Sequence, residues 1–381
     1  MNRDILDDLF ILEMTNNHQG DVNRGLEIIR QFSQIAKFNN VRTAIKLQFR
    51  NFDTFIHKDF VDREDIYYIK RITNTKLSVE EYVALVEAIK KSGCIPLATP
   101  FDEKSVDLIE DLNLPIIKVA SSGCNDWMLI ERIAKTRKPV VVSVGGMSLK
   151  DMDDMVTFFE NRNIPLVICH CIAAYPTEAS ELQLNQIDFL KRRYPNHVIG
   201  LSSHEYRDWQ SLIITGYAKG ARLFERHIDI NTDGFKVASY SSLPEQIDVW
   251  FKAWHHAKLI CGGSSEARIL PIEKEITYLN SYIRGVYAKR DIQAGEMLTE
   301  EDIYLAVPLL KGQISCRELM LGRYGHKVIK QLKTDQPIMI DSVDTPYADN
   351  ESLMKVIYER GLDPSETCKS NNKDHLRQIR D

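Results

Sequence analysis

The chain has 381 residues, 44% of them hydrophobic and 27% charged, with a formal net charge of -5 at pH 7. That length suits two or three domains with a sizeable core. The acidic balance excludes a general nucleic-acid binder, which carries a basic excess to pair with phosphates. The opening MNRDILDDLFILEM is acidic with a short apolar run, unlike a signal peptide. No stretch approaches the roughly 18–20 apolar residues of a membrane span. Seven cysteines lie scattered, mostly in apolar segments (Cys94, Cys169, Cys171, Cys261). Free thiols in a reducing cytoplasm account for them, so the expected location is cytoplasmic.

Short β-branched runs come in chain order at 9–14, 43–49, 95–99, 116–120, 139–144, 165–170, 197–203 and 221–227. Between them lie segments such as NRGLEIIRQFSQIAKF and VEEYVALVEAIKKSG, with apolar residues at helical spacing and Gly or Asn at their ends. Eight strands alternating with helices predict an α/β fold, a (β/α)8 TIM barrel over residues 1–263. An open doubly wound sheet would place a glycine-rich phosphate loop after its first strand, and the chain has Asn-Asn-His-Gln-Gly there. In LVICHCI, period 2 puts Cys169 and Cys171 on one strand face, a structural reading preferred over a metal site with His170.

The pattern changes after Gly262-Gly263. Residues 264–283 predict a helical linker. Residues 284–346 predict a small, mostly β module, and 347–381 a charged C-terminal tail with one helix over ESLMKVIYERG and a mobile end.

Barrel chemistry belongs at the C-terminal strand ends. Here those ends carry Glu13, Lys46, Gln48, Thr99, Lys118, Ser121, Ser143, Ser202, His204, Glu225 and His227, with Tyr175 beyond the sixth strand. Any one has a bland reading, since a lone strand-end Lys is usually solvated and a lone His structural. Jointly they form a rim. Two lysines on apolar strands need an anionic partner, because burying an unpaired ammonium is costly. Hydroxyls at Thr99, Ser121, Ser143 and Ser202 offer neutral donors to a phosphate. His204 and His227 on adjacent strands suit two ligands on one metal. Glu225, two residues from His227 and therefore on the same face, offers a carboxylate for ligation or proton transfer. Metal-assisted carbon–carbon bond formation and metal-assisted hydrolysis both fit this set.

The motifs EMTNNHQG (13–20), KLQ (46–48), TPFD (99–102), KVAS (118–121), SVGG (143–146), AYPT (174–177), GLSSH (200–204) and ERH (225–227) occur in that order. The chain thereby resembles the sialic acid (N-acetylneuraminate) synthase family throughout its barrel. YAKRDIQAGEMLT (287–299) resembles the antifreeze-like (SAF) domain that follows it there. The resemblance implies an enzyme condensing phosphoenolpyruvate with a sugar aldehyde and water, to give a 3-deoxy-2-keto sugar acid and phosphate. Lys46, Lys118, Thr99, Ser121, Ser143 and Ser202 would hold phosphoenolpyruvate. His204 and His227 would bind a divalent metal, typically manganese, with magnesium or cobalt as other candidates. Glu13, Gln48 and Tyr175 would contact the open-chain sugar, with Glu225 beside the metal. Glu13, Glu225 and Lys118 would be the catalytic groups. A domain-swapped homodimer is implied, each small domain closing its partner's barrel.

The chain also departs from that family. Gly123 stands where members commonly have Glu, Val307 where an Arg precedes Pro, Ala173 where Asn or Ser precedes the Tyr-Pro pair, and residues 233–241 replace a Gly-Pro-Asp-His segment. Losing an arginine at a ligand site is not conservative, because nothing neutral replaces its donors. The phosphoenolpyruvate and metal positions are largely kept and the sugar-reading ones largely changed, which implies the same reaction on a different sugar. Glu225, Asp126 or Glu13 are candidates to handle the attacking water. The rival readings are an aldolase or another 3-deoxy-keto acid synthase on the same barrel, and a non-catalytic ligand-binding paralogue.

Overall fold

A computed structural model describes residues 5–232, 234–263, 267–280, 282–322 and 325–363. Two compact units divide at Gly262/Gly263. In the first, β1 (Leu9–Glu13) leads to α1 (Val22–Phe38), and β2 (Thr43–Phe49) to α2 (Phe52–Phe55), α3 (Tyr67–Asn74) and α4 (Val79–Lys91). Then alternate β3 (Ile95–Pro100), α5 (Glu103–Asp111), β4 (Ile116–Val119), α6 (Trp127–Lys135), β5 (Val140–Ser143), α7 (Leu149–Glu160), β6 (Leu166–Cys171) and α8 (Asn185–Arg193). The unit ends with β7 (Val198–Ser203), α9 (Ser211–Ala218), β8 (Leu223–Ile228), the short β9 (Ser241–Ser242) and α10 (Pro244–Cys261). Each strand from β1 to β8 pairs parallel with the next, and β1 pairs with β8, closing a TIM barrel. β9 extends the far end of β8, pairing at His227 and Ile228.

Local chemistry starts and stops these helices. Asp21, Asp102 and Asp126 cap α1, α5 and α6 by accepting backbone N–H bonds, and capping boxes open α4 (Ser78/Glu81) and α7 (Ser148/Asp151). Left-handed residues stop the chain short of the following strand at Asn40 (φ 51°), Gly93 (86°), Asn113 (51°), Asn163 (53°) and Gly220 (104°). Outward strand faces meet the helices in one large core. There Phe10 stacks on Phe224 and meets Trp250, Phe251 and Trp254 edge-on at 4.8–5.2 Å.

The barrel interior is a separate layer. Leu9, Ile11, Ala44, Leu97, Ile116, Val141, Val167, Cys169 and Leu223 fill its lower part. Further along, the same inward positions become Glu13, Lys46, Gln48, Thr99, Lys118, Ser143, Ser202, Glu225 and His227, all at the strands' C-terminal ends. The strand period of two makes apolar floor and polar mouth two halves of one face.

The second unit has its own core of Val286, Ile292, Leu298, Ile314, Leu332, Ile338 and Val343 among others. It holds α11 (Glu273–Asn280), the antiparallel pair β10 (Gly285–Ala288) and β11 (Ile303–Ala306), α12 (Cys316–Leu321), the pair β12 (Lys327–Val328) and β13 (Val343–Asp344), and α13 (Glu351–Glu359). Two sequence expectations need correction here. α13 does not stand apart as part of a tail: Ile357 is in this core, Leu353 and Met354 pack against it, and Arg360 binds the buried Glu318 carboxylate. Tyr287–Asp291 is not simply a solvated turn: Tyr287 and Ala288 are in β10, and Arg290 pairs with Asp302 at 2.7 Å and Glu296 at 2.8 Å. Within the expected linker, α11 forms. Residues 364–381, including the whole of the expected mobile end, lie outside the described residues.

Candidate active site

All twelve side chains singled out in the sequence line one pocket at the mouth of the barrel, together with Ala120 and Cys171. Register explains the convergence: Glu13 lies opposite both Lys46 and His227, Gln48 opposite Thr99, and Glu225 opposite Ser202. Ser121 sits in the 3-10 turn after β4, and Tyr175 on the loop after β6.

The floor is a buried ion cluster. Lys46 pairs with Glu13 and, at 3.1 Å, with Glu225 Oε1. Lys118 lies 3.9 Å from the same oxygen and donates to Ser143 Oγ at 2.7 Å. Ser202 Oγ donates to Glu225 Oε1 at 3.0 Å, and the Thr15 amide to Glu13 Oε1 at 3.0 Å. All four charged groups are at most 4% exposed. Burial brings the Lys46 ammonium down to a pKa of about 8, although Glu225 opposes it. Burial alone would raise the Glu225 carboxyl, but Lys118 and Lys46 outweigh it and hold the pKa at about 2. Two ammoniums thus face a cavity in which Thr99 Oγ1 and Glu225 Oε2 are buried without hydrogen-bond partners. Such orphaned groups mark a place for a ligand.

One wall is aromatic. His204 and His227 lie 5.1 Å apart between ring centroids, Tyr175 tilts over His204 at 4.0 Å, and Tyr240 meets His227 edge-on at 5.1 Å. His204 Nδ1 bonds the Ile172 carbonyl at 2.9 Å, which leaves Nε2 as the lone-pair nitrogen. His227 Nδ1 is buried with no partner. Burial lowers the His204 pKa to about 4 and His227 well below its ordinary value, so both rings stay neutral, the form that ligates metals. Among the described residues no group of three or more His, Cys, Asp or Glu is set as a metal cage. The two neutral imidazoles, with His227 Nδ1 unpartnered, are the donors of this wall that would hold a cation.

The departures from the family pattern have visible places. A Cβ at Gly123 would meet only Val119 and Leu129, at 3.8 and 4.0 Å, so local crowding does not demand glycine. Asp126 is occupied as the N-cap of α6, accepting from the Leu129 amide at 3.2 Å, whereas Glu13 and Glu225 face the pocket. Val307 is 54% exposed on the second unit. His170 points out of the barrel to the Leu182 carbonyl (2.7 Å), while Cys169 and Cys171 share the inward face. His18 accepts from the Gly20 amide and shapes the loop after β1, and His255 bonds the Asn39 carbonyl from α10.

Sequence reasoning missed Tyr240, Arg71 and Arg50. Arg71 Nη1 donates to Tyr240 Oη at 3.1 Å, and Arg50 Nη2 to Gln48 Oε1 at 2.8 Å. Only Arg50 left a local signal, being two residues beyond Gln48 at a strand end.

A family model described as the NeuB family matches residues 36–264, and a SAF domain model matches 283–344. An uncharacterised protein of Methanocaldococcus jannaschii is 30% identical over 77% of this chain and 82% of its own. Pseudaminic acid synthase of Helicobacter pylori is 26% identical over 88% of this chain and 97% of its own. Among solved structures, a spore coat polysaccharide biosynthesis protein E from Chromobacterium violaceum superposes with a TM-score of 0.84 at 39% identity, covering 88% of this chain and 99% of the other.

Proposed function

The chain belongs to the NeuB family, and from that premise we propose that it joins phosphoenolpyruvate to an open-chain hexosamine-type aldehyde and water. The product is a 3-deoxy-2-keto sugar acid of the nonulosonate class, with phosphate released. At the coarser level it is a phosphoenolpyruvate-dependent sugar-acid synthase, a transferase that forms a carbon–carbon bond. The observation that carries the reading is the buried cluster in which Lys46 and Lys118 face a cavity beside two neutral histidines.

In this reading Lys46 and Lys118, with Thr99, Ser121, Ser143 and Ser202, hold the phosphate and carboxylate of phosphoenolpyruvate. Fixed ammoniums in a site shielded from water stabilise charge that develops on the departing phosphate. A divalent metal on His204 and His227, manganese in this proposal, would supply a Lewis acid for the aldehyde oxygen. Gln48, Glu13 and Tyr175 orient the sugar so that C3 of phosphoenolpyruvate faces the aldehyde carbon. After that bond forms, water adds at C2 and phosphate leaves by C–O cleavage. With Gly123 in place of a carboxylate, Glu225 Oε2 is the unpartnered oxygen positioned to take the water's proton. The protein acts as a homodimer in a soluble compartment under this proposal. No helix among the described residues is long and apolar enough to cross a membrane.

The test is phosphate release from phosphoenolpyruvate with Mn²⁺, across aldoses, hexosamines and their phosphates, with His227→Ala as control. Release that needs one sugar and the intact histidine supports the synthase. No release from folded, metal-loaded protein with any sugar overturns it.

A further inference from the structure

The floor of the pocket is already balanced, Lys46 and Lys118 being matched by Glu13 and Glu225. The rim is not. Arg50 lies just past the end of β2, its guanidinium stacked over Phe101 at 3.8 Å and near Phe55 at 5.6 Å. One of its nitrogens donates to Gln48, a pocket residue, while Nε is buried with no partner. Its other polar neighbours are the phenols of Tyr68 and Tyr82, and Arg71 on α3 repels it. Arg71 donates to Tyr240, whose ring packs against His227 (5.1 Å) and Tyr175 (5.3 Å). The acid that feels Arg71, Asp229, is already paired with Arg24 at 2.7 Å. Among the described residues no carboxylate lies within 4 Å of either guanidinium.

Two partly buried like charges, answered only by phenols and an amide, are costly unless a third party shares them. Arginine on an aromatic shelf presents a fixed fork of donors, which suits phosphate or carboxylate. Neither arginine hydrogen-bonds the lysines or hydroxyls assigned to phosphoenolpyruvate. Each reaches the pocket through a side chain on its sugar side instead, Gln48 or Tyr240. We propose that Arg50 and Arg71 bind an acidic substituent, a phosphate ester or a carboxylate, on the sugar aldehyde this enzyme takes. The inference rests on the condensing reading above and deepens it by naming the substrate class.

The test has two arms. In turnover, wild type is compared on neutral hexosamines, their 6-phosphates and hexuronates. The expected result is a kcat/KM at least about tenfold higher for one anionic class, a ratio lost in Arg50→Gln/Arg71→Gln and partly kept in Arg50→Lys/Arg71→Lys. In calorimetry, a hexitol 6-phosphate and an aldonate, which lack the aldehyde and cannot react, are titrated with the inner site filled by saturating phosphoenolpyruvate. Binding of one probe, weakened about tenfold or more in the glutamine variant, supports the site and says which anion it takes. If no sugar is turned over but this binding difference holds, the condensing reading fails and the anion site stands. If wild type binds neither probe, or the folded glutamine variant binds them as wild type does, the proposal is overturned whatever the turnover shows. A wild-type preference for neutral sugars, or an equal loss on neutral and anionic ones, overturns it as well.

Discussion

Lys46 is the residue in which stability and function conflict most directly. Burial lowers its pKa to about 8, so the free enzyme loses this charge in mildly alkaline solution. Because kcat/KM reports the free enzyme, kcat/KM for phosphoenolpyruvate is expected to fall above a midpoint near pH 8. A flat profile from about pH 7 to about pH 10 counts against Lys46 as an anion-binding group. At Gly123 the constraint is steric. Since a Cβ there meets nothing closer than 3.8 Å, Gly123→Glu is expected to fold with a stability change within about 1 kcal/mol. Urea denaturation checks this, and a loss of several kcal/mol would show that the turn needs glycine after all.

At the scale of elements, the packing of β7 against both neighbouring strands depends on a missing side chain. A Cβ at Gly200 would stand 2.5 Å from Cys169 Sγ and 3.1 Å from the Leu223 carbonyl, inside the barrel. Gly200→Ala is therefore expected to cost about 1–3 kcal/mol by overpacking. Adding Cys169→Ala should recover part of that, and two full additive penalties in thermal unfolding would refute this account of the clash. The β1–α1 loop carries a second prediction. Burial lowers the His18 pKa from 6.5 to about 4. The unfolded chain then binds the proton first, so His18 contributes fully above pH 6.5 and its contribution is lost as pH falls toward 4. Between pH 7 and pH 5 the loss amounts to about 2 kcal/mol. The unfolding free energy of His18→Gln should vary less over that interval by about this amount, and equal slopes in both proteins would remove His18 as the cause.

At the scale of the whole molecule, the two units have separate hydrophobic cores, and the first closes its barrel using only its own strands. Residues 1–262 expressed alone are expected to keep a cooperative melt and the far-ultraviolet signature of an α/β protein. A molten, non-cooperative fragment would mean that the barrel needs the second unit to fold. Conversely, because α13 supplies Ile357 to the second core, truncation after residue 346 is expected to destabilise that unit, read as a lost or lowered transition in calorimetry.

The sequence by itself determined the barrel and most of its mouth. Strand periodicity is a local property, so it showed which residues share the inward face, and parallel pairing then brings strand ends such as Lys46, Lys118, Glu225 and His227 to one rim. The antifreeze-like module was legible for the same reason, in a short contiguous motif. Only the tertiary structure decided which groups touch: that Glu225 serves both lysines, that Cys171 lines the pocket, and that α13 joins the second core. It also decided the rim. Arg71, on α3, and Tyr240, on the loop before β9, are 169 positions apart in the chain. Their meeting follows from how the β2–α4 insertion and the β8–α10 connection fold over the barrel, a long-range packing outcome that no local pattern encodes.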